Sequence, residues 1–178
     1  MFARRTPLSL PIPWLTFDAI RAISSMQSPN WTVFEYGSGH STLYWRKSGM
    51  SVVSVENDPG WYAYLVNALQ GEKSTDVRVI YADTKAAYVE SINEFGGRGF
   101  DLILVDGAYR RECVVVAVKH VRPGGYLVVD NTDWHWVTEF PYEGIPSNWV
   151  KKVYPGYAPM IGYRSETTLW QRPIEQDT

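Results

Sequence analysis

Residues 32–45, TVFEYGSGHSTLYW, pass from a short apolar run into a turn with two glycines two apart, Gly37 and Gly39, and on into helix-like sequence. A strand that breaks at glycines and turns at once into a helix brings backbone amides to a strand tip. Open α/β sheets place their ligands at such tips. The fold depends on whether this strand–turn–helix unit recurs.

It does recur. SVVSVE (51–56) reads as a second strand, and WYAYLVNALQ, entered through DPG, as a helix. VRVIYAD (77–83) is a third strand, followed by the helical run KAAYVESINEF, which Gly96 and Gly97 end. FDLILVDG (100–107) is apolar between its ends, as a parallel strand buried on both faces should be. RRECVVVAVKHV (110–121) follows as a helix stopped by RPGG, and YLVVDN (126–131) is a fifth strand. Upstream, apolar positions at helical spacing in residues 14–27 predict one more helix, and Ser41 and Thr42 are the expected caps of the helix after the glycine turn. Alternating strands and helices imply right-handed crossovers and a parallel sheet covered on both faces. Beyond Asn131 the pattern changes to a polar, aromatic, proline-bearing loop. Two strands then follow, VKKVYPGYAP and ETTLWQRP, expected to be antiparallel.

The chain has 178 residues, 45% hydrophobic and 20% charged, which is enough for one sizeable core without disulfides or metal staples. Its net charge of −2 offers no electrostatic reason to bind nucleic acid. The single cysteine, Cys113, lies in an apolar helical run, which reads as a buried, inert thiol in a reducing compartment. No apolar run approaches the roughly 18 residues of a membrane span. Three prolines interrupt the apolar N-terminal segment, so no signal peptide is read there. These features predict a cytoplasmic protein; they say nothing of its oligomeric state.

A P-loop needs a Gly-Lys-Ser/Thr ending, and no lysine follows Gly39 before Lys47. A dinucleotide fingerprint needs a small residue three positions after Gly39, where Thr42 stands. Acids end the next strands: Glu56, Asp83, Asp106 and Asp130. Four acids at strand tips would repel a pyrophosphate, yet suit a ligand bearing an amine, a sulfonium and a ribose. Glu56 can accept from ribose hydroxyls and Asp83 from an adenine amine. The ligand's one carboxylate can meet the helix start near Ser41 and Thr42.

FEYGSGHST, SVEND, YAD, LVDG and RPGGYLVVDN, in that order, resemble the class I S-adenosylmethionine-dependent methyltransferases over roughly residues 14–131. The resemblance implies a Rossmann-like, doubly wound α/β sandwich whose seven-stranded, mostly parallel sheet ends in a C-terminal antiparallel hairpin. It further implies one domain, with an N-terminal segment (1–30), a cofactor-binding core (31–131) and a substrate loop and hairpin (132–178). S-adenosylmethionine would be held by Glu35, Gly37, Ser38, Gly39 and Ser41 at its methionine end, by Glu56 at the ribose and by Asp83 at the adenine. Asp106 would lie beside the transferring centre. Ser41 stands where many members carry a third glycine. The implied activity is methyl transfer to a small-molecule acceptor at oxygen or nitrogen. The alternatives are a non-catalytic cofactor- or partner-binding protein on this fold, and an NAD-dependent oxidoreductase.

Asp130 and His135 are the candidate catalytic residues, His135 because its ordinary pKa suits a general base. Asp106 with Asp130 and Asn131 also resembles the Mg²⁺ site of catechol-type O-methyltransferases. Those enzymes carry a lysine just after the first acid, where DGAYRR offers Tyr109, Arg110 and Arg111, so no metal is assigned and Mg²⁺ is not favoured. Arg110 and Arg111 begin a helix, a poor place for cations unless something anionic compensates, and solvation by water is the expected answer. Trp134, Trp136, Phe140, Tyr142 and Trp149 are the candidate walls of the acceptor pocket.

Overall fold

The computed structural model describes residues 11–70, 76–97, 99–134 and 142–174. Helix α1 (Phe17–Met26) precedes β1 (Thr32–Tyr36), α2 (His40–Lys47), β2 (Ser51–Glu56), α3 (Pro59–Leu69) and β3 (Val77–Tyr81). Next come α4 (Lys85–Glu90), β4 (Phe100–Val105), α5 (Arg110–Ala117), β5 (Val121–Asp130), β6 (Val150–Tyr157) and β7 (Arg164–Gln171). The seven strands form one sheet in the order β3-β2-β1-β4-β5-β7-β6. The pairs from β3 through β5 are parallel, while β7 is antiparallel to both β5 and β6. This is the doubly wound sandwich with a terminal hairpin that the sequence predicts.

Side-chain alternation divides the core. Phe34, Tyr36, Ile103, Val105, Leu127 and Val129 face Tyr88, Val89, Cys113 and Val114 of α4 and α5. Val33, Val52, Leu102, Leu104 and Val128 face Ala19 and Ile23 of α1 and Trp45 of α2. Cys113 is buried and free, and burial pushes its thiol well up, as an inert thiol requires.

Three local expectations are corrected. The cap of α2 is Gly39, because Thr42 sits inside the first turn, where its Oγ1 accepts from the Gly39 amide at 3.1 Å. The helices expected after β3 and β4 end early, each finishing in a 3-10 turn, Ser91–Phe95 and Val118–His120. RPGG belongs to the fifth strand: β5 starts at Val121, and the β4–β5 register shifts after Phe100 to accommodate it. A side chain at Gly125 would lie 2.9 Å from the Phe100 carbonyl oxygen, so the irregularity depends on glycine there.

The chain leaves β1 toward β2 and β3, then returns to lay β4 on the other side of β1. That reversal opens a crevice at the strand tips. Gly37 and Gly107 meet at its base, where a Cβ on Gly37 would lie 2.8 Å from the Gly107 backbone. Gly37 has φ +96°, so both its conformation and its packing exclude a side chain.

Candidate functional site

A cleft of about 380 Å³, within the range typical of small-molecule sites, opens over the tips of β1, β2, β4 and β5. Gly37, Ser38, Gly39 and Ser41 line it from the first turn and α2, and Glu56 lines it from β2. A Cβ on Gly39 would meet nothing within 4 Å, so the turn leaves open space beside the first amides of α2. Glu56 is almost fully buried. Its Oε2 accepts from the Ser38 amide and hydroxyl, both at 3.0 Å, and its Oε1 from the amides of Asn57 and Asp58, both at 2.8 Å.

Glu35 does not reach this cleft. As the fourth residue of β1 it points, like Val33, to the α2 face. Its Oε2 accepts from Thr42 Oγ1 and Ser54 Oγ at 2.6 Å, and its Oε1 from Trp45 Nε1 at 2.7 Å. Burial pushes its carboxyl up, and these hydroxyl and indole donors pull it back. The carboxylate ties β1, β2 and α2 together beneath the turn, a correction to its expected place against the ligand.

At the β4–β5 end the cleft floor is an ion network. Arg110, the first residue of α5, uses all five guanidinium N–H groups. Its Nε donates to the Gly107 carbonyl at 3.0 Å. Nη1 donates to the Asp130 carbonyl at 2.6 Å and to Asn131 Oδ1 at 2.9 Å. Nη2 donates to the Asp106 carbonyl at 2.8 Å and to Asp106 Oδ1 at 3.0 Å. The Trp134 ring covers the guanidinium, its centroid 5.0 Å from Cζ. The compensation sought for a cation at this helix start is therefore protein, and not water.

Asp130 is buried, and one carboxylate oxygen accepts from Thr167 Oγ1. Burial, with the neighbouring Asp106 adding to it, pushes its carboxyl up to about 7 against the pull of Thr167 and Arg110. Burial also raises Asp106, with Arg110 opposing. Asn131, in the left-handed region at φ +55°, donates from Nδ2 to Ser165 Oγ at 2.8 Å.

Solved structures share this arrangement of strands and helices. An O-methyltransferase from Bacillus cereus in complex with SAH (S-adenosylhomocysteine) superposes with a TM-score of 0.67 at 13% identity, over 97% of this chain and 82% of that one. The O-methyltransferase TomG from Streptomyces achromogenes, in complex with SAM (S-adenosylmethionine), gives 0.59 at 16% identity, over 80% and 73%. The N-methyltransferase NodS from Bradyrhizobium japonicum gives 0.60 at 14% identity, over 88% and 93%. The chain has the class I methyltransferase fold. No protein-family model matches the sequence. No curated protein sequence matches it either. At these identities the likeness is one of fold, and the named relatives differ in the atom they methylate.

On this methyltransferase fold the remaining candidates fall in different places. Asp83 is exposed just after β3 and does not line the cleft. His135, Trp136 and Phe140 lie outside the described residues. Trp149 is buried in the α5-side core, and Tyr142 packs against Trp170, so neither lines the cleft. The aromatic walls come from elsewhere: Trp14 of the N-terminal segment, Trp61 of α3 and Tyr163 of the β6–β7 connection. Trp14 packs 5.5 Å from the His40 ring and 6.2 Å from that of Trp61. Nothing in the local sequence around Trp14 or Tyr163 marks them as neighbours; the hairpin and crossover bring them together.

The metal reading does not fit. Asp106 and Asn131 each turn Oδ1 to Arg110, and the Asp130 carboxylate turns one of its oxygens to Thr167. Among the described residues no group of three or more His, Cys, Asp or Glu side chains could hold a metal ion. Among them, too, no helix is long and apolar enough to cross a membrane.

Proposed function

We propose that the protein transfers a methyl group from S-adenosylmethionine to a small-molecule acceptor at oxygen or nitrogen. The observation that carries this reading is the pairing, at the switch point of a methyltransferase fold, of open space at Gly39 with the buried Glu56 carboxylate across the same turn. When bound, S-adenosylmethionine supplies a methyl carbon whose bond to sulfur breaks as its bond to the acceptor forms, leaving S-adenosylhomocysteine.

Ser38, Gly39 and Ser41 would hold the methionine end, where the start of α2 favours a carboxylate. Glu56 would hold the ribose. Each of its oxygens already accepts two hydrogen bonds, so a ribose hydroxyl would replace the Ser38 hydroxyl and leave the strand-tip amides in place. Asp130 is the group to receive a proton from the acceptor, because it lines the cleft with a carboxyl near the pH at which a base is effective. Trp14, Trp61 and Tyr163 would bound the acceptor with apolar surface. The same reading has the protein working in the cytoplasm on a small molecule, with neither nucleic acid nor membrane as substrate. It is supported by the net charge of −2 and the buried, free Cys113.

Calorimetric titration with S-adenosylhomocysteine, beside NAD⁺ and NADH, tests this. Micromolar binding of S-adenosylhomocysteine, weakened roughly tenfold or more in Glu56→Ala, is the expected result. Binding of NADH in its place would overturn the reading, and binding of neither would favour a non-catalytic partner-binding protein.

A further inference from the structure

The three residues that would make a divalent-metal site already surround a cation that belongs to the chain. Arg110 sits between the tips of β4 and β5 with a side chain only 10% exposed, and it meets Asp106 Oδ1 and Asn131 Oδ1 at 3.0 and 2.9 Å. Its three remaining N–H groups are taken by the carbonyls of Gly107, Asp106 and Asp130. A guanidinium held by five well-formed hydrogen bonds in a fixed fork is not a mobile surface charge. A divalent ion needs six or more oxygens close around it. Here Asp106 Oδ1, Asn131 Oδ1 and the three carbonyl oxygens already accept from the guanidinium, and one Asp130 carboxylate oxygen accepts from the Thr167 hydroxyl.

We propose that Arg110 is a tethered substitute for the divalent cation, so the cleft is closed to Mg²⁺, Mn²⁺ and Ca²⁺ and works without them. The guanidinium fixes the carboxylate of Asp106 and the left-handed turn at Asn131, and sets one positive charge beside Asp106 and Asp130. With every donor committed to protein, it acts as a positioning residue and does not grip the acceptor itself. The proposal concerns the ion site and does not depend on the methyl-transfer reading.

Manganese titration followed by electron paramagnetic resonance, together with thermal unfolding in Mn²⁺ or EDTA, is the test. Wild-type protein should leave the free Mn²⁺ signal intact and show the same unfolding midpoint in both. Arg110→Ala, which frees the oxygens of Asp106 and Asn131 and opens space between them, should bind Mn²⁺. Its midpoint should rise by roughly 5–10 °C when Mn²⁺ is about a hundredfold above its Kd. Adding Asp106→Asn to that variant should abolish the rise. If Arg110→Ala does not fold, Arg110→Ser serves as the same test, and the wild-type measurement stands alone. Mn²⁺ binding by wild-type protein that Asp106→Asn removes would overturn the proposal, as would a folded Arg110→Ala that binds no Mn²⁺.

Discussion

The two ends of the cleft satisfy their acids by different means. At the β1–β2 end, Glu56 is met by backbone amides and one serine hydroxyl, beside a glycine with open space above it. At the β4–β5 end, Asp106 is met by a charged side chain anchored in α5, with every donor in use. A hydroxyl can be displaced by a ligand's hydroxyl at little cost, because the exchange conserves hydrogen bonds. Removing a buried guanidinium leaves a carboxylate without its partner. The first end is therefore built to exchange partners with a ligand, and the second to keep its own.

The largest expected effect tests the base of the crevice. Gly37→Ala puts a Cβ 2.8 Å from the Gly107 backbone at φ +96°, and should cost roughly 3 kcal/mol of stability in chemical denaturation. Gly39→Ala, two residues on, should change stability by no more than about 0.5 kcal/mol. It should weaken S-adenosylhomocysteine roughly tenfold, since the added methyl enters the ligand's space. Equal destabilisation by both would erase the distinction between packed and open glycine.

Glu35 and Glu56 sharpen the contrast in a second way. Glu35→Ala strands the Trp45 indole and the Thr42 and Ser54 hydroxyls in the core, and should cost about 3 kcal/mol of stability. Glu56→Ala should instead act mainly on binding, weakening S-adenosylhomocysteine by roughly tenfold or more. A Glu35→Ala protein of normal stability would show that its carboxylate does not hold the turn.

The closed end predicts a pH effect. With its carboxyl raised to about 7, folded Asp130 keeps a proton that the unfolded chain releases near its ordinary value of 3.8. Its contribution is fully present below that ordinary value and is lost as pH rises through about 7. Wild-type protein should therefore lose stability relative to Asp130→Asn between those limits, as read from unfolding midpoints across a pH series. Parallel curves for the two proteins would mean that Asp130 titrates normally. The smallest effect is expected at Asp83. Because it is exposed outside the cleft, Asp83→Ala should leave S-adenosylhomocysteine affinity within about twofold. A tenfold loss would restore it as a ligand of the adenine.

Local patterns carried far in this chain. The bounds of β1 and β2 follow from apolar runs broken by glycine or by an acid before proline, and Asp58 caps α3 through the Trp61 amide at 2.8 Å, as DPG suggests. Local pattern does not reveal which side of a strand tip a carboxylate faces. Glu35 and Glu56 look alike in sequence, yet pleating turns Glu35 under α2, while Glu56, at the last position of β2, stays at the rim. Nor does it reveal what compensates a charge. Arg110 is conspicuous as a cation at a helix start, but its partners at Asp130 and Asn131 lie 20 and 21 positions away and arrive only through the β4–β5 pairing.

By itself, then, the sequence determined the alternation of strands and helices, the glycine turn at the first strand tip and the acids near the strand ends. Backbone conformation and hydrophobic period are properties of neighbouring residues. Only the tertiary structure decided that Arg110 stands where a metal would, and that the cleft's aromatic walls are Trp14, Trp61 and Tyr163. Those arrangements depend on crossovers, register and hairpin pairing that join residues far apart along the chain, and no local propensity encodes such distances.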